Sequence, residues 1–232
     1  MNAVVPRHLR VNDFVVKFAN VNGSGSASAN RLFARSVLRM GVPVASRNIF
    51  PSNIQGLPTW YEVRVSEAGH IGRRGGVDLA VAMNPQTWDK DVGSIESGGY
   101  LFYDSTKPMP SSKFRSDINV IGVPLTAITN STYTDPRQRQ LFKNIIYLGA
   151  LSALLDIDPA EIEKLFVEQY KGKEALLDSN KKALAMGRDY ALANFACPLP
   201  LKVARRDNVG QRIFIDGNSA AALGAVYGGA RL

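Results

Sequence analysis

The sequence predicts an α/β fold, a three-layer domain with a largely parallel open sheet and a helical C-terminal part. Three observations support this class. Residues 13–19 have the pattern of a buried strand and lead into a turn rich in glycine and serine, a segment with helical spacing follows, and residues 78–84 form the continuous apolar run typical of a central parallel strand. The 232 residues suffice for one such domain with an additional element.

The first elements follow one another as strand, glycine turn, helix and strand. The strand at 13–19 ends at the turn of residues 21–26, and residues 28–40 carry apolar side chains near helical spacing. Gly41 stands where a helix stop is expected, and residues 42–45 form a short second strand. This order predicts a βαβ unit at the start of the chain.

Four further strands are predicted downstream. Residues 60–65 alternate polar and apolar side chains, which predicts a half-exposed strand. Residues 78–84 predict a central parallel strand closed by an Asn-Pro pair, and residues 99–104 and 119–123 add two more strands.

The chain changes to helical character from Gln138 onwards. Residues 144–155 are apolar almost throughout, so this helix is expected to be buried. Asp158 followed by Pro159 is a strong signal for the start of another helix, and residues 179–195 predict the last one.

The chain is predicted to divide into three parts. A first α/β domain spans 1–195, a polar linker spans 196–212, and residues 213–232 restart a strand–turn–helix pattern as the incomplete beginning of a second domain.

The charge of the chain favours an anionic small molecule or an acidic protein as partner over nucleic acid. The net charge is +8, but the basic residues are scattered and cluster only as pairs, at Arg73-Arg74, Lys181-Lys182 and Arg205-Arg206. No basic helix or aromatic RNA-binding motif accompanies them. We therefore expect no nucleic-acid partner.

Membrane, metal and catalytic functions find little support in the residues. No apolar run approaches the length of a membrane span, and the N-terminal residues lack the apolar centre of a signal peptide, so a cytoplasmic protein without membrane contact is expected. Cys197 is the single cysteine, and His8 and His70 are the only histidines. We assign no catalytic residue and no metal ligand.

The glycine turn is the first candidate binding element. Its glycines can direct backbone N–H groups towards an anion, and the helix that follows adds partial positive charge. The same turn could instead be a tight strand-to-helix connection in which Ser24 or Ser26 caps the helix. Both interpretations stay open on the residues alone.

Two further segments carry polar side chains suited to ligand contact. Ser52 and Asn53 lie in a loop stiffened by Pro51, and Asn84 ends a strand where open α/β sheets place their ligands. The loop could equally connect two strands or contact a subunit, and Asn84 could simply end its strand.

Taken in order, these segments resemble the gamma domain of 2-oxoacid:ferredoxin oxidoreductases, in particular the N-terminal part of the fused gamma–alpha subunit of the 2-oxoglutarate type. The turn at 22–26 stands at the family's G-x-G-G-x-G loop, residues 50–57 at its Tyr-Pro-Ser-x-Ile-Arg-Gly-Gly loop, and residues 81–84 at its strand ending in Met-Asn. Residues 217–225 resemble the opening of the following alpha region. The sequence departs from the family pattern at Asn22, Gln55 and Leu57.

The resemblance implies coenzyme A as the ligand of this segment. It places the phosphates of coenzyme A on the glycine turn and further contacts on the other candidate residues, giving the set Gly23, Ser24, Gly25, Ser26, Ser52, Asn53 and Asn84. By the same resemblance, residues 1–195 are the gamma-type domain and residues 213–232 begin an alpha-type domain that contacts the pyrimidine of thiamine diphosphate.

For the complete enzyme the resemblance implies oxidative decarboxylation of a 2-oxoacid, most similar to the conversion of 2-oxoglutarate to succinyl-CoA and CO2. Thiamine diphosphate, Mg and the iron–sulfur cluster would be held by alpha and beta regions or subunits, and ferredoxin would accept the electrons. This segment would then be inactive alone and would contribute coenzyme A contact and assembly of a multi-subunit enzyme.

Two other functions remain open. One is a structural assembly domain that has lost ligand binding, which the altered glycine turn favours. The other is a stand-alone dinucleotide-binding protein. Against the latter, the turn is not G-x-G-x-x-G, and residues 42–45 lead into Ser46 and Arg47 instead of an acidic ribose-binding residue.

Overall fold

A computed structural model describes residues 9–50, 58–70 and 72–230. The strands are β1 (Arg10–Val11), β2 (Asp13–Val21), β3 (Val44–Ile49), β4 (Pro58–Ser66), β5 (Val77–Ala82), β6 (Ile95–Asp104), β7 (Asn119–Val123) and β8 (Leu201–Lys202). The helices are α1 (Ser26–Arg39), α2 (Trp88–Gly93), α3 (Leu125–Thr132), α4 (Pro136–Leu154), α5 (Pro159–Gln169), α6 (Glu174–Asn194) and α7 (Gly217–Tyr227), with 3-10 turns at Pro85–Thr87 and Ser111–Lys113.

In the described parts of the chain, six strands form the central sheet in the order β3-β4-β2-β5-β6-β7. The pairs from β2 through β5 and β6 to β7 are parallel, and only β4 runs antiparallel to its two neighbours. One face packs against α1 and α4, and the other against α2. The predicted α/β class with a largely parallel open sheet is confirmed.

The strand predicted to be half exposed is buried, and that prediction was wrong. β4 lies between β2 and β3, and its inner face carries Tyr61, Val63 and Val65 into the core. On the other face, the Trp60 indole N–H donates to the buried carboxylate of Asp91 in α2 at 2.8 Å. The alternation of polar and apolar residues showed that β4 has two distinct faces. It did not show that α2 covers the face of β4 that carries Trp60.

The predicted βαβ unit is split by this strand. β3 runs parallel to β2 but does not pair with it, because β4 is inserted between them and pairs with both. The unit therefore keeps its direction while its two parallel strands are separated by one antiparallel neighbour.

Helices α4 and α6 form the densest helix pair. The predicted buried helix is confirmed and starts earlier than expected, at Pro136, where Asp135 accepts a capping hydrogen bond from the Gln138 N–H at 2.8 Å. At Gly149 of α4 and Gly187 of α6 the backbones touch, since an added Cβ would lie 2.0 Å and 1.8 Å from carbonyl oxygens of the facing helix.

The segment predicted as a linker contributes to the first domain. β8 pairs in parallel with β1, Leu201 and Val203 are fully buried, and the Val203 N–H donates to the Leu155 carbonyl at 2.7 Å. The division of the chain at residue 195 stays a prediction, but residues 199–206 pack on the core that precedes them.

The segment after residue 212 forms a helix without the predicted strand. Residues 213–215 have no strand pairing, and α7 begins where Asp216 accepts a hydrogen bond from the Ser219 N–H at 3.0 Å. Every residue of α7 is exposed. Across the described residues, no helix combines the length and apolar character that crossing a membrane requires.

Candidate functional site

The glycine turn lies at the carboxyl edge of the parallel strands. It joins the end of β2 to the start of α1, next to the end of β5, which is where open α/β sheets bind ligands. Gly23 and Gly25 have φ of 83° and 76°, a region that favours glycine. The two glycines therefore allow a left-handed backbone conformation that is unfavourable for most residues with a side chain.

No side chain of the described residues caps α1. Gly25 occupies the N-cap position, the first turn of the helix contains no acidic residue, and the Ser24 hydroxyl donates to the Ser26 hydroxyl at 3.0 Å. The interpretation in which Ser24 or Ser26 caps the helix is therefore not observed. The helix N-terminus adds partial positive charge beside the turn.

The turn is anchored to α4. The Asn144 side-chain amide donates to the Ser24 carbonyl at 3.0 Å, and the Ser24 N–H donates to the Val21 carbonyl at 3.2 Å. Leu141 of α4 lies over Gly25, since an added Cβ there would be 2.7 Å from its Cδ2 atom. The position of the turn is thus set by a helix more than a hundred residues away in sequence.

A buried chain of hydrogen bonds supports the turn from below. The Asn30 amide donates to Asn20 Oδ1 at 3.1 Å, and the Tyr147 hydroxyl donates to Asn30 Oδ1 at 2.7 Å. Burial raises the pKa of Tyr147 far above its usual value, so the hydroxyl stays protonated and can donate. These three residues join β2, α1 and α4 at the root of the site.

A cavity of about 420 Å³ opens between the turn and helices α3 and α4. Its lining includes Ser24 of the turn, Met83 after β5, Thr126 of α3, and Arg139, Lys143 and Asn144 of α4. A volume of this size is typical of small-molecule sites.

Two cations form one wall of the cavity. Arg139 and Lys143 are separated by one helical turn, and both are half-buried. The Arg139 Nε–H donates to the Tyr133 carbonyl at 2.7 Å, and Lys143 Nζ lies 4.0 Å from Asp104 Oδ2. The arrangement suits an anionic ligand.

Asp104 is the negative group beside this wall. Burial alone would raise the pKa of Asp104, but hydrogen bonds from Thr106 and Thr126 outweigh burial and lower it. The carboxylate therefore stays ionised at neutral pH and acts as an anchor at the end of β6.

Comparison with known proteins identifies the family of this chain. The model of the pyruvate ferredoxin/flavodoxin oxidoreductase family matches residues 15–190. The chain belongs to this family.

Relatives in the pyruvate ferredoxin/flavodoxin oxidoreductase family include the 2-oxoglutarate oxidoreductase subunit KorA of Mycobacterium tuberculosis, which is 23% identical over 97% of this chain. The chain spans 38% of the length of that relative. The family resemblance inferred from the motifs is confirmed.

Solved structures of family members share the fold. A 2-oxoglutarate:ferredoxin oxidoreductase from Magnetococcus marinus, solved with 2-oxoglutarate, coenzyme A and succinyl-CoA bound, superposes with a TM-score of 0.84 at 24% identity over 95% of this chain and 38% of its own. The gamma subunit of a keto/oxoacid ferredoxin oxidoreductase from Geobacter sulfurreducens superposes with a TM-score of 0.60 at 22% identity, over 78% of this chain and 99% of its own.

The structure brings together some of the residues predicted from the family motifs. Ser24 lines the cavity, and Gly23, Gly25 and Ser26 belong to the same turn. Ser52 and Asn53 lie outside the described residues.

Asn84 has a structural role in the described chain. Its Oδ1 atom accepts from the Gln86 N–H at 3.0 Å, and its amide donates to the Asn20 carbonyl at 3.4 Å. The side chain is almost fully buried and caps the 3-10 turn after β5. Of the two interpretations left open by the sequence, its contacts match the one in which Asn84 ends the strand, and its role in binding stays a prediction.

Sequence reasoning missed Arg139 and Lys143. The available signal was a pair of cations four residues apart on the polar beginning of a helix whose remainder is apolar. Such a pair is usually a solvated helix face. Only the packing of α4 against the glycine turn makes it the wall of a cavity.

Proposed function

We propose that this chain is the gamma portion of a cytoplasmic 2-oxoacid:ferredoxin oxidoreductase, most similar to the 2-oxoglutarate type, and that it contributes contact with coenzyme A and with other subunits. One observation carries the proposal. A cavity with a cationic wall lies at the carboxyl edge of the sheet, bounded by the glycine turn, in a chain of the pyruvate ferredoxin/flavodoxin oxidoreductase family.

The cavity residues suit coenzyme A chemically. Coenzyme A carries phosphates, which pair with Arg and Lys side chains and with exposed N–H groups at a helix N-terminus. Its flexible arm can pass over the apolar atoms of Met83, which lines the same cavity. This chain's residues would bind and orient coenzyme A, while the thiol of coenzyme A accepts the acyl group elsewhere in the complex.

The remaining chemistry is assigned to other parts of the complex. Thiamine diphosphate, Mg and the iron–sulfur cluster would sit on alpha and beta regions or subunits, with ferredoxin as electron acceptor. The chain spans well under half of its curated relatives, which leaves most of their length to supply these groups. We therefore expect the chain alone to be inactive.

The C-terminal helix supports a role in assembly. α7 exposes Leu223, Val226 and Tyr227 to solvent, and an isolated helix of its length is marginally stable without a packing partner. We assign its partner as the alpha-type region. An assembly domain without ligand binding is the second candidate function, and this exposed helix is the observation that favours it.

The first experiment is calorimetric titration of the full chain with coenzyme A, in parallel with NADH. We expect saturable binding of coenzyme A and none of NADH. Gly25→Ala should weaken binding by about tenfold, because it places a methyl group at a left-handed position of the turn and displaces Leu141 of α4, the helix that carries one wall of the cavity.

Gly172→Ala is the matched control. Gly172 has the same φ of +76° with no atom within 4 Å of an added Cβ, and it lies between α5 and α6, which contribute no residue to the cavity lining, so Gly172→Ala introduces the backbone strain of Gly25→Ala outside the cavity. Both variants should lose stability through the same backbone strain, with a further loss for Gly25→Ala from its contact with Leu141, and only the turn variant should lose affinity. Tight NADH binding would support the dinucleotide alternative. A folded chain that binds neither ligand but still associates with alpha-type and beta-type chains would be an assembly domain.

A further inference from the structure

We propose that Arg139 and Lys143 of α4 supply the side-chain charge that holds the phosphates of the ligand, in addition to the N–H groups that the N-terminus of α1 offers beside the glycine turn. The inference rests on the proposed function for the identity of the ligand. It names two residues that determine specificity for a phosphate-bearing ligand over an uncharged one.

The first step is the placement of the two cations. Residues four apart on a helix lie on the same face about one turn from each other. Arg139 and Lys143 therefore present two positive groups in a row along one wall of the cavity that Ser24 of the turn also lines. A ligand with adjacent phosphates could contact both groups at once.

Arg139 is held through its Nε–H group, which leaves its two Nη groups available to a ligand. Its Nε–H donates to the Tyr133 carbonyl at 2.7 Å, and the Tyr133 ring stacks on Phe142 with centroids 4.5 Å apart. Within the described residues, no hydrogen bond uses its two Nη groups. A guanidinium oriented in advance through one edge can bind phosphate through the other.

Lys143 is attracted by the charge of Asp104 but does not form a hydrogen bond with it. The 4.0 Å between its Nζ atom and Asp104 Oδ2 exceeds hydrogen-bonding distance. Asp104 already accepts hydrogen bonds from the backbone and hydroxyl of Thr106, at 3.1 and 2.6 Å, and from the hydroxyl of Thr126. The ammonium group therefore keeps its donors for a ligand while the carboxylate holds it near the cavity.

The polar atoms of Ser24 in the glycine turn have protein partners instead. The Ser24 N–H donates to Val21, its carbonyl accepts from Asn144, and its hydroxyl donates to Ser26. Gly25 makes room for Leu141. These contacts explain why the turn needs small residues without requiring that it bind phosphate.

The test measures affinities of the full chain and its variants for three probes: coenzyme A, ADP and pantetheine, which has the thiol arm without phosphates. Arg139→Gln and Lys143→Gln should each weaken coenzyme A and ADP by about tenfold, the effect of losing one charge-assisted contact at a half-exposed position. Pantetheine affinity should not change. Arg139→Lys should recover only part of the loss, because lysine keeps the charge but not the planar fork.

Arg137→Gln is the control, because Arg137 is an exposed cation of the same helix that does not line the cavity. Its affinities should stay within about twofold of those of the natural chain. Normal coenzyme A binding by the Arg139 and Lys143 variants would overturn this inference and leave the proposed function intact. ADP binding that depends on both cations, without coenzyme A binding, would support the inference and remove the proposed ligand. A natural chain that binds neither ADP nor coenzyme A would overturn both.

Discussion

At the scale of single residues, Asp104 illustrates how one carboxylate organises the site. It ends β6, receives the backbone N–H of Thr126 at the start of α3 and lies within ion-pair distance of Lys143. Its pKa is lowered because the hydrogen bonds from Thr106 and Thr126 outweigh the opposing effect of burial. The ionised form thus stabilises the junction of sheet, helix and cavity wall.

The lowered pKa of Asp104 gives a prediction about acid stability. Because the pKa is lower in the folded state, the carboxylate stabilises the fold above its usual pKa and loses that contribution as pH falls through the lowered value. Thr126→Val removes one hydroxyl donor, so it should cost about 1 kcal/mol of unfolding free energy at neutral pH and progressively less in acid.

Urea unfolding of both proteins from pH 7 down through the acid range measures this difference. Thr132→Val is the control, since the Thr132 hydroxyl donates to the Ile128 carbonyl and, among the described residues, forms no hydrogen bond with a titrating group, so its effect should not vary with pH. A Thr126→Val deficit that persists unchanged in acid would contradict the assigned role of Asp104.

At the scale of elements, the contact of α4 with α6 fixes where the site lies. Helices that approach at backbone distance need glycine at the crossing, and here Gly149 and Gly187 face each other's helices. The same α4 carries Arg139, Lys143 and Asn144 at its other end. Any shift of α4 against α6 would therefore move the cavity wall relative to the glycine turn.

We predict that Gly149→Ala destabilises the chain by about 3 kcal/mol, although alanine is the better helix former by about 1 kcal/mol. The added Cβ would lie 2.0 Å from the Leu184 carbonyl oxygen, and a buried backbone atom cannot move aside cheaply. Gly224→Ala provides the comparison, because this glycine lies in α7 with no atom within 4 Å of an added Cβ.

Urea denaturation at 25 °C measures both effects. The Gly224 variant should be neutral or slightly stabilised, in line with the helix propensity of alanine. If Gly149→Ala proved as stable as the natural chain, the two helices would not touch through their backbones.

At the scale of the whole molecule, one helix stays uncovered by the rest of the described chain. The sheet is covered on both faces by helices, but α7 stands exposed along its full length. Beside it, Arg31, Arg35 and Arg47 line a second cavity of about 990 Å³ together with residues of the 213–217 segment. An exposed apolar helix next to a basic cleft is the form expected of a surface that packs on another protein region.

We predict that Leu223→Glu leaves the stability of the chain unchanged but weakens its association with alpha-type and beta-type chains by at least about tenfold. Leu223 is 47% exposed, so its side chain contributes less to the stability of the chain than a buried leucine would. Val167→Glu is the matched control, because Val167 is similarly exposed, at 49%, on a different helix, α5.

Sedimentation of the mixed chains measures association, and thermal unfolding measures stability. Equal association by both variants would place the partner surface elsewhere. Loss of stability in the Leu223 variant would mean that α7 packs on its own chain.

The sequence alone determined the kind and order of most elements between β2 and α6. Periodicity along the chain predicts most strands and helices, glycine predicts the turn after β2, and the capping pair at Asp158 is local chemistry that is legible in the sequence. The motif order from the glycine turn to the Met-Asn strand end sufficed for the family, because each motif is contiguous in sequence.

Only the tertiary structure decided which elements became neighbours. The insertion of β4 between β2 and β3, the return of residues 201–203 to the core and the conversion of Arg139 and Lys143 into a cavity wall all depend on contacts between distant segments. Such contacts depend on the burial and hydrogen bonding of the whole chain. The periodicity of a single segment describes only that segment, so it does not predict which distant segment will pack against it. The same reason explains why Asn84, conspicuous in the sequence, has both side-chain polar atoms bonded within the protein.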